Sequence, residues 1–474
     1  MMFAAKENNR LCCNHVILFL FVCFGILLQC FLFYPGYIYW DSWVQLSQAQ
    51  GLRPMTDWHP PIMTLFWRTQ ITLFGTEKIF YILNIFIFWA ALFLLLKNFN
   101  NRYLGFVAFL IGFLPFIVTY IAVPIKDVSF AVCIFLCCAL LANIEFSSIS
   151  MRVRNFTYII IIILILYCTL TRVNSIFITA PLIVFIFFEF KNTLKIYLVV
   201  LCLIASAVFV TPYINNMVFG AEKERAIRSL LLFDIAGISY RSKENLFGIV
   251  PDKIGGVDIN QKCYTPKFWD SYSIYAGTPE CAEYGKKIFT KDDHYLLQKW
   301  VGAIKQHPLS YLRHRISVFN RFINYQGKRS VFQYRYGEYP GIALYPAAEN
   351  AVIYKRAILS KLNAMASGRQ IWFAPYFWLS LLIGLFIATI KCSTRKEQLV
   401  NVIAFSAGIY LLGFFSIGVS DGYRYAYPSV LMCLSAILLY IKFKSMSDQT
   451  VFKDKFFITG TSFSVLTIMI GCLL

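Results

Sequence analysis

The amino-acid sequence predicts an all-α polytopic membrane protein with about eleven transmembrane helices and one mixed extracytoplasmic domain. Of its 474 residues, 58% are hydrophobic and only 14% are charged, which is typical of chains that cross a bilayer several times. The apolar residues fall into separate runs of membrane-spanning length, interrupted by one long polar stretch. This composition excludes a chain that is one soluble globular domain.

The runs divide the chain into an N-terminal transmembrane module at residues 1–212, an extracytoplasmic domain at 213–370 and C-terminal transmembrane helices at 371–474. The apolar runs lie at about 14–34, 79–97, 103–121, 128–146, 156–171, 174–190, 196–214, 371–390, 397–418, 425–442 and 456–473. The fifth and sixth runs are nearly continuous, but one helix of about 35 residues would overshoot the bilayer by about 20 Å. We therefore predict a tight turn there, with Arg172 at the membrane surface, since an arginine within the hydrocarbon is costly.

The basic residues indicate the orientation. The chain has 44 Lys and Arg against 24 Asp and Glu. With a cytoplasmic N-terminus, fifteen of the basic residues lie in cytoplasmic segments: Lys6, Arg10, Lys97, Arg102, Arg152, Arg154, Lys191, Lys195, Lys391, Arg395, Lys396, Lys442, Lys444, Lys453 and Lys455. The opposite short connections hold six: Arg53, Arg68, Lys78, Lys126, Arg172 and Arg424. The positive-inside rule therefore predicts a cytoplasmic N-terminus, and the positive charge does not indicate nucleic-acid binding. The first apolar run is too long for a signal-peptide core, so we predict that it remains a transmembrane helix.

The polar insert at 213–370 contains the two cysteines that lie in a polar region, Cys263 and Cys281. Because this insert is predicted to face an oxidising compartment, we expect the two to form a disulfide. A helical stretch is predicted around 292–323, and His307 and His314 within it are expected to mark a solvated face. The five histidines of the chain show no paired ligand spacing, so a metal site is not indicated.

The first external loop, 34–78, is the most unusual connection. Its residues 34–68 contain two carboxylates, Asp41 and Asp57, then His59 before two prolines. Four tryptophans lie in the same stretch: Trp40, Trp43, Trp58 and Trp67. A connector between two helices needs only a few residues, so this length and aromatic content predict a folded segment on the membrane face.

The other external turns also carry ionisable residues at helix ends, where such residues usually mark a functional site. Lys126 and Asp127 lie at the turn 121–127, Arg172 and Asn174 at the turn 171–174, and Arg424 and Tyr425 in the last turn. In the insert, Arg335 stands between Tyr334 and Tyr336.

Each of these residues also has a structural interpretation. Asp41 and Asp127 are suited to cap the helices that follow them, and Asp57 to cap a helix beginning at Pro60 and Pro61. Arg172 and Arg424 are suited to extend their charges to the membrane interface. An arginine between aromatic residues, as at Arg335, is also common in surface turns.

Taken together, these motifs resemble those of glycosyltransferases of the GT-C fold. Those enzymes have acidic residues in the first two external loops, often an HPP motif, and in many bacterial members a Gly-x-Arg-Tyr-x-x-Pro pattern before a late helix. Here the corresponding residues are Asp41, Asp127, His59-Pro60-Pro61 and Gly422–Pro428. The chain is similar to protein mannosyltransferases, the lipid A aminoarabinose transferase and phage serotype-conversion glucosyltransferases. The likeness covers the membrane part, about 300 residues, and not the insert. One departure is Trp40-Asp41-Ser42, where the mannosyltransferases have an Asp-Glu pair.

The resemblance implies a GT-C-like bundle in a bacterial inner membrane. It implies an inverting transfer from a polyprenyl-phosphate-linked sugar, such as an undecaprenyl phosphate derivative, to a cell-envelope glycan or lipid such as O-antigen of lipopolysaccharide. Asp41 is then the general base, Asp127 orients the base or acceptor, and His59 contacts the pocket. The donor phosphate is bound by Arg172, Arg424, Lys126 and Arg335, and Asp57, Trp40, Asn174 and Tyr425 lie in the substrate loops. No cofactor is implied. An Asp41–Asp127 pair is compatible with a divalent cation, but the sequence does not indicate one.

Two other classes of protein remain open. A lipid-linked-substrate transporter or flippase would explain the many helices, but it predicts inverted repeats and mid-membrane charges, and neither is evident in the sequence. A structural or receptor-like protein that displays the basic insert would leave the acidic residues of the first two external loops unexplained. The sequence identifies neither the sugar nor the acceptor.

Overall fold

The structure is a computed structural model that describes residues 2–34, 36, 38, 40–97, 99, 101, 103–187, 193–249, 256–274, 276–324, 370–391, 393–446 and 455–473. Within these ranges the secondary structure is helical, and the β contacts are two isolated bridges. The chain divides into two compact units. The first consists of Met1–Glu222, Gln326–Tyr410 and Arg424–Leu474, and the second of Lys223–Tyr325 and Leu411–Tyr423.

The first unit contains the apolar helices. Its N-terminal helices are α1 (Met2–Phe33), α2 (Trp40–Ala49), α3 (Pro61–Phe74), α4 (Ile79–Leu96), α5 (Leu104–Gly112), α6 (Pro115–Ile121), α7 (Lys126–Phe146), α8 (Met151–Thr171), α9 (Ile176–Phe187) and α10 (Thr193–Tyr213). Numbering α11–α15 in the second unit, the later helices are α16 (Pro375–Ala388), α17 (Arg395–Ile417, which continues into the second unit), α18 (Tyr427–Met446) and α19 (Lys455–Leu473).

Several of these helices are suited to cross a membrane. Among the described residues, six helices are long and apolar enough, and the bent pair α5–α6 makes a seventh if it counts as one span. The six are Cys13–Phe33 of α1, α4, α7, α8, α17 and α18. Val173–Phe187 and Pro375–Ala388 are shorter apolar helices. The structure therefore supports a multi-pass all-α membrane protein, and the count of eleven spans stays a prediction.

The break between α5 and α6 has a clear cause. Pro115 cannot donate a backbone hydrogen bond, and Leu114 before it adopts an extended conformation, so the two helices meet at 61°. The buried Gln29 of α1 donates from Nε2 to the Gly112 carbonyl oxygen (2.7 Å) and accepts from the Trp89 indole nitrogen (2.9 Å). The Gly112 carbonyl oxygen, which has no water to bond in the apolar interior, thereby gains a hydrogen-bond donor.

The chain reverses after α8, as the sequence predicts. The Thr169 and Thr179 hydroxyl oxygens lie 3.4 Å apart, whereas ten residues of a straight helix would separate them by about 15 Å. Arg172 lies in an extended conformation between α8 and a short 3₁₀ turn at Val173–Ser175. Its side chain is only 13% exposed, and its position at the membrane surface stays a prediction. It turns inward, toward a carboxylate.

The second unit contains α11 (Ile227–Ser242), α12 (Gly256–Cys263), α13 (Pro279–Phe289), α14 (Asp293–Gln306) and α15 (Pro308–Ile323). The predicted Cys263–Cys281 disulfide is present and joins α12 to α13. The helical stretch predicted around 292–323 is present as two helices. The expectation of mixed secondary structure is wrong for the described part, which is helical. The predicted bounds 213–370 contain the first segment of this unit but not Leu411–Tyr423.

The second unit contains a buried charge cluster in addition to its hydrophobic core. Asp234 and His314 are 0% exposed and Arg315 is 1% exposed. Asp234 accepts contacts from His314 Nε2 (3.0 Å), Arg315 Nη2 (2.6 Å) and the Trp300 indole nitrogen (2.8 Å). His314 Nδ1 lies 2.8 Å from the Tyr264 hydroxyl. We call these residues the Asp234 cluster. The predicted solvated face is wrong for His314, because Asp234 supplies the buried partner that lets a histidine lie inside the protein.

Candidate functional site

The site is formed by side chains from four connections between helices, and these side chains meet within the first unit. Arg424 Nη1 donates to Asp41 Oδ2 at 2.7 Å, and its Nε lies 3.8 Å from Asp127 Oδ2. Arg172 forms an ion pair with Asp127. Two carboxylates and two guanidinium groups thus form a continuous chain of ion pairs, Asp41–Arg424–Asp127–Arg172. We call this set the charge quartet.

The packing of the long helices brings the quartet together. Helices α7 and α8 have 21 residues each and pack against each other, joined by a short connection. The start of α7, with Asp127, therefore lies beside the end of α8, next to Arg172. Helix α18 packs along α7, and Tyr427 at its start donates its hydroxyl proton to the Ile117 carbonyl oxygen of α6 (3.1 Å). Arg424, three residues before Tyr427, is held at the same end.

The first external loop is fastened independently. Gln45 of α2 donates to the Pro60 carbonyl oxygen (3.3 Å) and Gln48 to the Thr56 hydroxyl (3.2 Å). Arg68 of α3 donates to the carbonyl oxygens of Gln48 and Ala49 at the end of α2. These contacts fix helix α2, and Asp41 with it, against the turn that carries His59.

The predicted capping roles of the carboxylates do not hold. Asp41 lies within the first turn of α2 and Asp127 within the first turn of α7, and both side chains meet arginines. Helix α3 begins at Pro61 with no side-chain cap, so Asp57 does not cap it. The Asp57 carboxylate instead accepts from Asn216 Nδ2 (3.3 Å), and its backbone pairs with Glu222. Asp57 thus helps to fasten the loop.

His59 and Lys126 lie beside the quartet. His59 is only 3% exposed, and its Nδ1 has no hydrogen-bond partner among the described residues. Burial, together with the nearby charges of Lys126 and Arg424, lowers the pKa of His59 to about 3, against the opposing effect of Asp41. The imidazole is therefore neutral at physiological pH. Lys126 Nζ donates to the Trp58 carbonyl oxygen at 3.4 Å.

The electrostatics of Asp41 follow from its neighbours. Burial acts to raise the pKa of its carboxyl group, but Arg424 first, then His59 and Lys126, outweigh that effect. The pKa therefore lies well below its ordinary value, and the side chain is a carboxylate. With Arg424 bonded to it, this carboxylate is a weak base.

Aromatic and amide groups complete the site. The Tyr425 ring centroid lies 5.2 Å from the Arg172 guanidinium and 5.0 Å from that of Arg424, and its hydroxyl accepts from Arg424 (3.0 Å). Asn174 Oδ1 accepts from Arg172 Nε (3.0 Å). Trp40 packs against Trp43 with the rings tilted and their centroids 4.8 Å apart. Among the predicted residues, Arg335 lies outside the described residues.

One neighbouring residue, and the pairing of the charged side chains, could not be predicted from the sequence. Tyr410 of α17, 1% exposed, lies close to Arg172 and Asn174, and it stands in an apolar run that gives no local signal. No group of three or more potential metal ligands is found among the described residues. The arrangement is suited to bind an anion at two guanidinium groups and to present a carboxylate beside it.

No protein-family model matches the chain, and neither a curated protein nor a solved structure matches it.

Proposed function

We propose that the protein is an inverting glycosyltransferase that moves a sugar from a polyprenyl-phosphate-linked donor to an extracytoplasmic glycan or lipid-linked acceptor of the cell envelope. The observation that carries the proposal is the charge quartet, in which each carboxylate contacts a guanidinium that is also suited to bind phosphate. Its residues lie at the ends of apolar helices, where a lipid phosphate and a water-soluble acceptor would meet. The proposed setting is a bacterial inner membrane.

The charge balance of the site favours an anionic donor. Arg172, Arg424 and Lys126 are cations, Asp41 and Asp127 are anions, and His59 is neutral, so the set carries one excess positive charge. A sugar linked through a phosphodiester to a lipid carries one negative charge. Binding it would neutralise the site, and the guanidinium groups would remain to stabilise the second charge that develops on the departing phosphate.

Donor binding would also change the basicity of Asp41. The Arg424 guanidinium bonds to Asp41 in the structure (2.7 Å). A donor phosphate competes for this guanidinium, and the carboxylate it displaces regains a higher pKa because it loses a cation and gains an anion nearby. The base would thus become effective only when the donor is present, which limits unproductive reactions.

The proposed reaction is one direct displacement. The acceptor hydroxyl oxygen attacks the anomeric carbon, and its proton passes to the Asp41 carboxylate. The bond from the anomeric carbon to the phosphate oxygen breaks, and its electron pair stays on the polyprenyl phosphate. Attack from the face opposite the leaving group inverts the anomeric carbon. Asp127 holds Arg172 in place, and His59 is available to accept a hydrogen bond from the acceptor.

The test uses Asp41→Asn in purified full-length protein with a defined polyprenyl-phosphate sugar. The change keeps the size of the side chain but removes its charge and basicity. We expect transfer to fall by roughly 100-fold or more, the scale of general-base loss. Donor binding should be unchanged or tighter, because asparagine competes less well for Arg424. The two readouts are initial transfer rate and donor binding at equilibrium.

Asp258→Asn is the matched control, since Asp258 is an exposed carboxylate in the first turn of α12 and lies outside the charge quartet. It should transfer at a near-normal rate. Near-normal transfer by Asp41→Asn would reject the base assignment, and weaker donor binding would reject the competition with Arg424. Movement of the intact donor from one leaflet of a proteoliposome bilayer to the other, without sugar transfer, would favour the flippase alternative.

The proposed orientation has its own test. Cysteine accessibility at Ser242 in α11 and at Ser445 in α18 should mark the first only from outside and the second only from the cytoplasm. The reverse pattern would place the charge quartet on the cytoplasmic face and contradict an extracytoplasmic acceptor.

A further inference from the structure

A cleft of about 340 Å³ opens at the opposite ends of the helices that carry the quartet. Helix α7 has Asp127 in its first turn and Glu145 in its last, about 27 Å apart along a straight helix. The cleft lies where α7 ends, α17 begins and α18 ends. It is lined by Glu145, Thr394, Arg395, Lys396, Phe443 and Met446.

The polar wall of the cleft has an excess of positive charge. Glu145 lies 3.5 Å from Arg395 and also experiences the charges of Lys396 and Arg154. Lys442, next to the lining residue Phe443, is close enough to Lys396 for the two charges to repel each other. Three cations therefore act on one carboxylate, and a fourth, Lys442, lies near Lys396. Such an arrangement attracts an anion with more than one acceptor oxygen.

The lining contains one arginine and one lysine, and these two side chains have different roles. The Arg395 guanidinium is fixed by Glu145, by the Phe185 carbonyl oxygen and by the Phe185 ring, whose centroid lies 3.9 Å away. It therefore shapes the wall. Lys396 lies over the Phe146 ring at 5.3 Å, and its ammonium group is positioned to donate to a ligand in the cleft.

We propose that this cleft binds a phosphate group, carried by the head group of an anionic membrane lipid. The apolar side of the cleft, Phe443 and Met446, belongs to a helix suited to span the membrane, so a lipid whose phosphate lies at Lys396 can continue along apolar surface. The basic residues predict that this face is cytoplasmic, where anionic lipids attract basic segments. The proposal is independent of the sugar-transfer reaction.

The experiment measures the unfolding temperature of the purified full-length protein in detergent against increasing concentrations of three probes. These are dihexanoyl phosphatidylglycerol, dihexanoyl phosphatidylcholine and inorganic phosphate. Phosphatidylglycerol should raise the unfolding temperature of the wild type in a saturable way. Lys396→Gln should weaken that apparent affinity about tenfold, the effect of losing one charge-assisted hydrogen bond.

Arg152→Gln is the matched control, because Arg152 is an exposed cation on the same predicted face and does not line the cleft. It should bind phosphatidylglycerol as the wild type does, and both variants should unfold at the wild-type temperature without probe. Equal weakening by both changes, or no saturable shift in the wild type, would overturn the site. If inorganic phosphate raised the unfolding temperature as much as phosphatidylglycerol does, and Lys396→Gln weakened that effect, the proposal that a lipid carries the phosphate would be overturned.

Discussion

The charge quartet and the Asp234 cluster use the same kinds of side chain in different ways. In the Asp234 cluster, Asp234, His314 and Arg315 are at most 1% exposed, and the carboxylate contacts three donors within one unit. In the quartet, Asp127 is equally enclosed at 1%, but Arg424 and Asp41 are 18% and 21% exposed. One arginine is shared between two carboxylates, at 2.7 Å and 3.8 Å.

The difference indicates what each arrangement can do. Enclosed charges with fixed partners stabilise one conformation, and losing a partner leaves an uncompensated charge in a medium of low polarity. A partly exposed ion pair, such as Asp41–Arg424, can exchange one anion for another at a low cost, because water reaches both groups during the exchange. We therefore expect the Asp234 cluster to affect stability and the quartet to affect binding and transfer.

The largest expected effect is on stability, from Asp234→Asn. The change leaves Arg315 buried without its carboxylate, which should reduce the free energy of unfolding by about 3–5 kcal/mol. Thermal or denaturant unfolding in detergent measures it. Asp258→Asn, at an exposed position in the first turn of α12, should change the free energy of unfolding by less than about 0.5 kcal/mol. An equally small loss in Asp234→Asn would break the contrast between the two clusters.

A smaller effect is expected on donor affinity, from Arg172→Lys and Arg424→Lys. Lysine keeps the charge but loses the planar fork that binds two phosphate oxygens at once. Each change should weaken donor binding by about tenfold to a hundredfold, measured at equilibrium, with expression and unfolding temperature retained. Arg53→Lys is the control, since Arg53 lies over the Trp43 ring and outside the quartet. Wild-type donor affinity in both quartet variants would show that their arginines do not bind the phosphate.

The smallest expected effect is a shared sensitivity to acid. Burial, followed by nearby cations, lowers the pKa of His59 to about 3, and burial also lowers that of His314 despite its bond to Asp234. Each histidine is protonated more readily in the unfolded chain, where its pKa is about 6.5. The stability that each contributes is therefore complete above pH 6.5 and declines below it. For His59 the decline is about 1.4 kcal/mol per pH unit.

Unfolding temperatures at pH 7.5 and 5.5 test this sign. His59→Gln and His314→Gln should each reduce the drop in unfolding temperature from pH 7.5 to pH 5.5. His294→Gln, at an exposed position, should leave that drop unchanged. A protein more stable at pH 5.5 would contradict the neutral state of both histidines.

The sequence predicted the helical membrane architecture well because apolar run length reports membrane spans directly. It also selected Asp41, Asp127, Arg172 and Arg424 as candidates, since ionisable residues at the ends of apolar runs are conspicuous, and their roles stay predictions. It did not predict their pairing, because Asp41 and Arg424 are 383 positions apart and only helix packing brings them together. It assigned Asp57 to a cap by local pattern, whereas its partner Asn216 is 159 positions away.

The Asp234 cluster shows a similar limit. Local spacing placed His314 on a solvated face, although the residue is buried against Asp234. One signal was available in the sequence, because Asp234 is a single charged residue within the apolar stretch 230–238. A lone carboxylate in such a stretch indicates a buried partner of opposite charge.

The wide separation of Asp41 from Arg424 also has a consequence in time. A ribosome adds about 5–20 residues per second, so the 383 positions between the two residues correspond to about 20–80 s of synthesis. Throughout that interval the first external loop exists without its arginine, and Asp41 is hydrated as an ordinary surface carboxylate. The ion pair between Asp41 and Arg424, and the donor site proposed around it, can therefore form only after most of the helices have been synthesised.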